Sequence, residues 1–233
     1  MPLLVRTWNV FHGNAHPPRR RGYLREMIEL VAGDRPDVVA LQEVPVWALG
    51  HLERWSGMRP FGVVAARPRL GSAGLGRWIT ELHHGLFRSA LTGQANAILV
   101  AQGLSIEDER TLTVSQAGER RVCQSARIGG FAVFANFHVT GGGPADEQFR
   151  RVAEFAASQD ERVVLAGDAN LRFEQGRTYA LLREWGFSEP AAGIDQLLVR
   201  GVPSSPPLVW PEDRRRVGGT LLSDHAPVEL TVG

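Results

Sequence analysis

At six places in this chain an apolar, strand-like run meets a carboxylate, an amide or an imidazole. Trp8-Asn9-Val10 closes the first run and Leu41-Gln42-Glu43 the second. Phe131–Ala135 leads into Asn136-Phe137-His138, and Val163–Ala166 into Gly167-Asp168-Ala169-Asn170. Ile194-Asp195-Gln196 opens a further run, and Ser223-Asp224-His225-Ala226-Pro227 precedes the last. A strand built only for packing rarely buries such groups, because an unpaired buried charge is costly. Carboxylate and amide oxygens are the donors a hard divalent cation prefers. A carboxylate that accepts from one ring nitrogen of a histidine orients the imidazole and favours its charged form. Asp168 and Asn170 stand two apart, so in an extended segment they share a face. An Asx turn at the strand end would use the same two residues without any catalysis.

The elements that must hold these groups follow from the spacing of apolar residues. Period-two and β-branched runs predict strands over Leu3–Val10, Asp37–Gln42, Phe61–Ala65, Ala97–Ala101 and Arg121–Ile128. Others are predicted over Phe131–Phe137, Arg162–Ala166, Ile194–Val199 and Pro227–Val232. Helical spacing gathers Leu24, Met27, Ile28 and Val31 on one face, then Phe149, Val152, Phe155 and Ala156, then Tyr179, Leu182 and Trp185. Gly33 and Gly186 are the expected helix stops. Mixed strands and helices predict α+β or α/β packing. No linker divides residues 1–233, and Pro203–Pro207 is too short to separate domains.

Taken in order, Asn9, the Leu41–Glu43 segment, Asn136-Phe137-His138, Gly167-Asp168-Ala169-Asn170, Ile194-Asp195 and Ser223–Pro227 resemble the motifs of the endonuclease/exonuclease/phosphatase superfamily, which includes pancreatic-type deoxyribonuclease and exonuclease III. They span nearly the whole chain. The resemblance implies an α+β fold, a four-layer α/β/β/α sandwich of two packed mixed β-sheets flanked by helices, with one site at an edge. It implies hydrolysis of phosphate esters with Mg²⁺, for which Mn²⁺ may stand in. Such a reaction needs a cation against the phosphoryl oxygens, an activated water and stabilisation of the crowded phosphorus. By the same resemblance Glu43, Asn9 and Asp224 are the metal residues. Asp168 orients or deprotonates the water, and Asn170 donates to a phosphoryl oxygen. Asp195 pairs with His225, and His138 is a second phosphate-binding imidazole. Gly93–Leu99 resembles a further family segment, in which Asn96 either touches substrate or forms a turn before a strand. Phe137 and Ala169 stand where the family has Thr and Phe. Phe11 occupies the position where some members carry a second acid, which leaves one-metal and two-metal chemistry both open.

Composition narrows the substrate only a little. The net charge is +1, so no global basic field announces nucleic acid. All 26 cationic side chains are arginine; this suits bidentate phosphate contacts and fits codon bias equally. Arg67–Gln94 carries arginines, glycines and the pair His83-His84, and reads either as a phosphate-gripping loop and helix or as a surface helix. His12 and His16, with the arginines at 19–21, either approach substrate or are solvated. Glu43-Val44-Pro45 departs from the abasic-site endonucleases, and Ile194-Asp195-Gln196 from the inositol polyphosphate phosphatases. The absence of a membrane-inserting segment disfavours a secreted sphingomyelinase. The single cysteine, Cys123, excludes an internal disulfide framework and fits a reducing cytoplasm.

The leading expectation is therefore a phosphodiesterase or nuclease, with a phosphate ester such as DNA or RNA as partner and no membrane. The alternatives are a phosphomonoesterase, a small-molecule or lipid-headgroup phosphodiesterase, and a non-catalytic binding domain of the same fold. Loss of Glu43, Asp168 or His225 would have pointed to the binding domain, and all three are present. Oligomeric state is not legible.

Overall fold

The computed structural model describes residues 2–68, 78, 92–116, 120–172 and 177–233. Thirteen strands run in chain order: β1 Leu3–Asn9, β2 Val38–Val44, β3 Arg59–Ala66, β4 Gln94–Val100, β5 Ile106–Ser115, β6 Arg121–Ile128, β7 Ala132–His138, β8 Val163–Asp168, β9 Asp195–Arg200, β10 Leu208–Val209, β11 Arg216–Val217, β12 Thr220–Leu221 and β13 Val228–Val232. The α-helices among the described residues are α1 Leu24–Ala32, α2 Leu52–Ser56, α3 Ala145–Ala157 and α4 Arg177–Glu184.

One sheet has the order β10-β13-β1-β2-β4-β3, the other β5-β6-β7-β8-β9, and β11 and β12 form a small pair. Both large sheets are mixed: β1 runs parallel to β2 and β7 parallel to β8, while the other neighbours are antiparallel.

Alternation along the strands explains the layering. Val5, Val38, Ala40, Ile98 and Leu230 from one sheet meet Phe134, Val164, Ala166, Leu197 and Val199 from the other in a single buried cluster. The opposite faces carry Trp8, Val39, Leu41 and Leu99, which pack under Met27, Ile28 and Val31 of α1 and Leu52 of α2. Phe137, Leu165 and Leu198 pack under Phe149, Val152 and Ala156 of α3 and Tyr179 and Leu182 of α4. The result is the expected four-layer α/β/β/α sandwich. The central strands, such as β1, β2, β4, β7 and β8, are buried on both faces, so a one-residue slip there would exchange two differently shaped cores.

Towards one end the inward parity stays the same but the residue type changes. Gln42 Nε2 donates to Thr7 Oγ1 at 3.0 Å and to Asn136 Oδ1 at 2.8 Å. Asn136 Nδ2 donates to the carbonyls of Leu41 and Ala97 at 3.0 and 2.9 Å. These bonds tie the two sheets together just beneath the strand ends. Leaving such a buried donor or acceptor unpaired costs about 1–3 kcal/mol, so the tie fixes sheet spacing there. Asn136 is thus a cross-brace within its motif. At Gly167 a Cβ would lie 2.0 Å from the carbonyl oxygen of Phe137, so only glycine lets β8 approach β7 this closely.

Predicted and observed elements differ where burial is one-sided or absent. β5 was not anticipated, because its Glu107–Arg110 stretch is charged and exposed and shows no apolar alternation. The short α2, β10, β11 and β12 were missed as well. Gly33 follows α1 with an ordinary right-handed φ of −60°, whereas Gly186 ends α4 with φ +80°. The loop-and-helix reading of Arg67–Gln94 falls mainly on residues 69–77 and 79–91, which lie outside the described residues. Among the described residues no helix is long and apolar enough to cross a membrane.

Candidate active site

β1, β2, β7 and β8 all finish at the same end of the sandwich, where β9 begins and the loop before β13 arrives. Strand register then does the assembling. His138 of β7 is paired with Asp168 of β8, and Asp168 with Asp195 of β9, so three candidate groups form a row across one sheet. Asn9 reaches that row from the other sheet, its Nδ2 donating to Asp168 Oδ2 at 3.0 Å. The Asn9 side-chain oxygen, Oδ1, accepts from the Phe11 backbone N–H at 3.0 Å.

Glu43 comes in through a bulge. The β2–β4 register shifts between Leu41 and Val44, and Glu43 adopts φ +55°. Its Oε2 lies 3.2 Å from His12 Nε2, and its Oε1 3.9 Å from His138 Nε2. Phe11, His12, Asn170 and Ser223 also have positive φ. Non-glycine residues pay roughly 1–3 kcal/mol for such backbone, least for Asn, and the strain gathers in the loops around this cluster.

Asp168 serves two purposes at once. Its Oδ1 accepts from the Asn170 backbone at 2.8 Å, closing an Asx turn, while its Oδ2 faces Asn9, His138 and His225. Closing the turn through Oδ1 therefore leaves Oδ2 facing the polar cluster. Asn170 Nδ2 donates to the Val139 carbonyl at 2.9 Å and sits 3.2 Å from His138 Nε2.

His225 Nδ1 lies 2.9 and 3.0 Å from the two carboxylate oxygens of Asp195. The loop carrying it is fastened from several sides. Ser223 Oγ donates to the Asn9 carbonyl at 2.8 Å, and Trp8 Nε1 donates to the His225 carbonyl at 3.0 Å. Arg215 Nη1 donates to the carbonyls of Leu222, Ser223 and His225 at 3.1, 2.9 and 3.2 Å. Asp224 is about one-third exposed, with Oδ1 3.9 Å from His225 Nε2.

The electrostatics follow from burial and neighbours. Burial raises the carboxyls of Glu43, Asp195 and Asp168; Asp168, also beside Asp195, is pushed up to about 7. Burial acts against the charged form of His225, but the hydrogen bond and charge of Asp195, with Asp168 and Asp224, outweigh it and push the imidazole up to about 10. Burial and the Arg121 charge hold His138 well below the ordinary histidine range. In all three acids burial is the main cause, because desolvation disfavours the charged carboxylate.

A pH signature follows for the metal-free chain. With its pKa raised, folded His225 holds a proton that the unfolded imidazole releases. That stabilisation is complete below about pH 6.5 and is lost as pH rises towards about 10. Asp168 acts with the same sign, but its effect ends near pH 7. The melting temperature of the wild type is expected to fall between about pH 7 and pH 8.5, at no more than ~1.4 kcal/mol per pH unit for one proton. Asp195→Asn is expected to flatten that slope. An equal slope in both proteins would break the link to His225.

A cleft of about 360 Å³ opens beside His225, with Asp195, Asp224, Arg172, Ile194 and Val228 among its lining residues. Of the residues expected from sequence, Asn9, Glu43, His138, Asp168, Asn170, Asp195 and His225 are brought together and Asp224 stands at the rim. Asn96 is buried within β4, its Nδ2 donating to the Val122 carbonyl of the facing sheet at 3.0 Å. Sequence reasoning left His12 undecided and missed Arg121 and Arg215. For Arg121, the only signal was an arginine at the head of an otherwise buried strand.

The layers and the clustered groups define a two-sheet sandwich with carboxylates, amides and imidazoles gathered at one edge. The model of the Endonuclease/Exonuclease/phosphatase family matches residues 7–225, and the chain belongs to that family. No curated protein sequence matches it. Solved structures share the fold at low identity. A conserved protein of unknown function from Enterococcus faecalis V583 superimposes with TM-score 0.74 at 14% identity, over 99% of both chains. A truncated TDP2 from Caenorhabditis elegans gives 0.61 at 19%, over 100% of this chain and 97% of the other. A mannosyl-6-phosphatase from Bacteroides thetaiotaomicron VPI-5482 gives 0.63 at 15%, over 99% of both.

Proposed function

We propose that this chain is a divalent-metal-dependent hydrolase of phosphate esters, acting first on phosphodiesters of nucleic acid. The observation that carries the reading is the single cluster in which Asp168 faces Asn9, His138 and His225 while His225 is held by Asp195.

The donor set fits a hard cation. Glu43 and Asp224 supply carboxylate oxygens and Asn9 a carbonyl oxygen with one lone pair still free, the ligand class of Mg²⁺ or Mn²⁺. Asp168, Asp195 and His225 also lie close enough to share an ion. That grouping would cost the Asp195–His225 hydrogen bond, so the Glu43 side is the better seat. A cation held there would neutralise phosphoryl oxygens and make water more acidic.

The chain's own residues do the rest. Asp168, near neutral in pKa, takes a proton from the attacking water as the water oxygen bonds to phosphorus. The P–O bond to the ester oxygen breaks, and that oxygen leaves and takes a proton from solvent. His225, held charged by Asp195, donates from Nε2 to a phosphoryl oxygen, and Asn170 and His138 line the same place. The family name and a mannosyl-6-phosphatase among the fold relatives support phosphate esters as the substrate class. The compact cleft beside His225 and the near-neutral charge favour a second reading, a small phosphate mono- or diester. A buried, unpaired Cys123 accords with a reducing, cytoplasmic setting.

Plasmid DNA, RNA, bis-p-nitrophenyl phosphate, p-nitrophenyl phosphate and a hexose phosphate should be screened with Mg²⁺, Mn²⁺ and EDTA. Hydrolysis of a diester that stops in EDTA and returns with Mg²⁺ or Mn²⁺ is the expected result. Turnover confined to monoesters moves the reading to a phosphatase. Activity unchanged in EDTA removes the metal, and inertness towards all five leaves a binding domain.

A further inference from the structure

His138 and His225 approach the same carboxylate, that of Asp168, yet their Nδ1 atoms have opposite partners. His225 Nδ1 faces Asp195, an acceptor, and must donate. His138 Nδ1 lies 2.8 Å from Nη1 of Arg121. A guanidinium keeps its protons and offers no lone pair, so here the ring nitrogen must accept. An imidazole that accepts at Nδ1 carries its hydrogen on Nε2.

The surroundings of that second nitrogen are consistent with a donor. Nε2 lies 3.4 Å from Asp168 Oδ2 and 3.9 Å from Glu43 Oε1, both acceptors. Asn170 Nδ2, at 3.2 Å, is a donor facing a donor, and it gives a hydrogen to the Val139 carbonyl instead. Arg121 is 8% exposed and His138 2%, so bulk water does not compete for either nitrogen. Arg121 heads β6, and the antiparallel pairing of Cys123 with Phe137 brings it level with the end of β7.

We propose that Arg121 is a positioning residue: by occupying Nδ1 it fixes His138 in the Nε2–H tautomer, so that His138 meets a phosphoryl oxygen as a fixed hydrogen-bond donor. The depressed pKa of His138 agrees with this arrangement. His138 and His225 are thus held by different means, one on a basic side chain and one on an acid.

The role of His138 towards substrate rests on the proposed hydrolase reading, but the tautomer can be read without turnover. Long-range ¹H–¹⁵N correlation spectra of the full, metal-free chain are expected to show His138 as a single Nε2–H tautomer. An Nδ1–H ring in the wild type overturns the proposal. Arg121→Met removes the donor at similar length; it is expected to mix the tautomers and lower kcat about 10- to 100-fold, the usual cost of losing the partner that orients a site imidazole, with KM nearly unchanged. Arg121→Gln keeps an N–H donor without the charge and is expected to restore the tautomer and most of kcat. A folded Met variant with the tautomer and kcat of the wild type also overturns the proposal. If that variant does not fold, the wild-type spectrum and the Gln variant decide it. A chain with no hydrolysable ester ends the hydrolase reading and leaves the tautomer result standing.

Discussion

Asp168→Asn is expected to lower kcat by ~10²-fold or more while KM moves little, the size usual for loss of a positioned base. The substitution keeps the volume of a side chain that is 1% exposed, so circular dichroism should report a folded protein. It cannot keep both hydrogen bonds. Asn9 Nδ2 and the Asn170 backbone donate to different oxygens of the carboxylate, and an amide has only one oxygen. A modest loss of stability is expected beside the kinetic loss, too small to account for it. Asp168→Ala removes both acceptors and should melt lower than Asp168→Asn at similar kcat. Full turnover in Asp168→Asn would return Asp168 to the single role of closing a turn.

The second large effect concerns Asp195 and His225. Asp195→Asn removes the opposite charge that holds the imidazole protonated, and so should lower the His225 pKa and cripple turnover together. His225→Ala should cost at least as much. If the two act as a unit, the double variant should lose about what His225→Ala loses alone, because residues that work together are not additive. A double-mutant cycle on kcat/KM, with a histidine titration by NMR, measures both consequences. Strictly additive losses with an unmoved titration curve would separate the residues despite their 2.9 Å contact. The metal assignment at Glu43 would survive that outcome, since its position comes from a bulge in a different sheet.

Most of the sandwich was legible because its strands are buried on both faces and read as unbroken apolar runs. β5 was not, since an exposed edge strand such as Ile106–Ser115 satisfies its side chains with water and needs no alternation. The candidate groups were legible for a related reason: each interrupts an apolar run with a polar residue that packing alone would not select. What the sequence could not convey was partnership. His138 is an equally plausible partner for an acid or a base until register brings Arg121 beside it. Asn96 reads from the sequence either as a substrate contact or as a turn before a strand, and only the register of β4 shows its Nδ2 on the Val122 carbonyl. Arg215 lies ten residues from His225 in a charged segment that reads as solvent-exposed, and only the folded loop shows it gathering three carbonyls.

The pairing of β1 with β13, Leu3 against Val232, also bears on how the protein is made. β1 can lie beside β2 soon after both are made, but its other edge has no neighbour until β13 is synthesised. Contacts so distant along the chain form slowly. Through that interval the nascent chain presents a row of unpaired amides and carbonyls on an apolar strand, a template for any other extended polypeptide. The segment that finally covers this edge is preceded directly by Asp224 and His225. The growing polypeptide therefore carries this aggregation hazard from β1 until β13 is made, and the step that removes the hazard is the same one that completes the polar cluster.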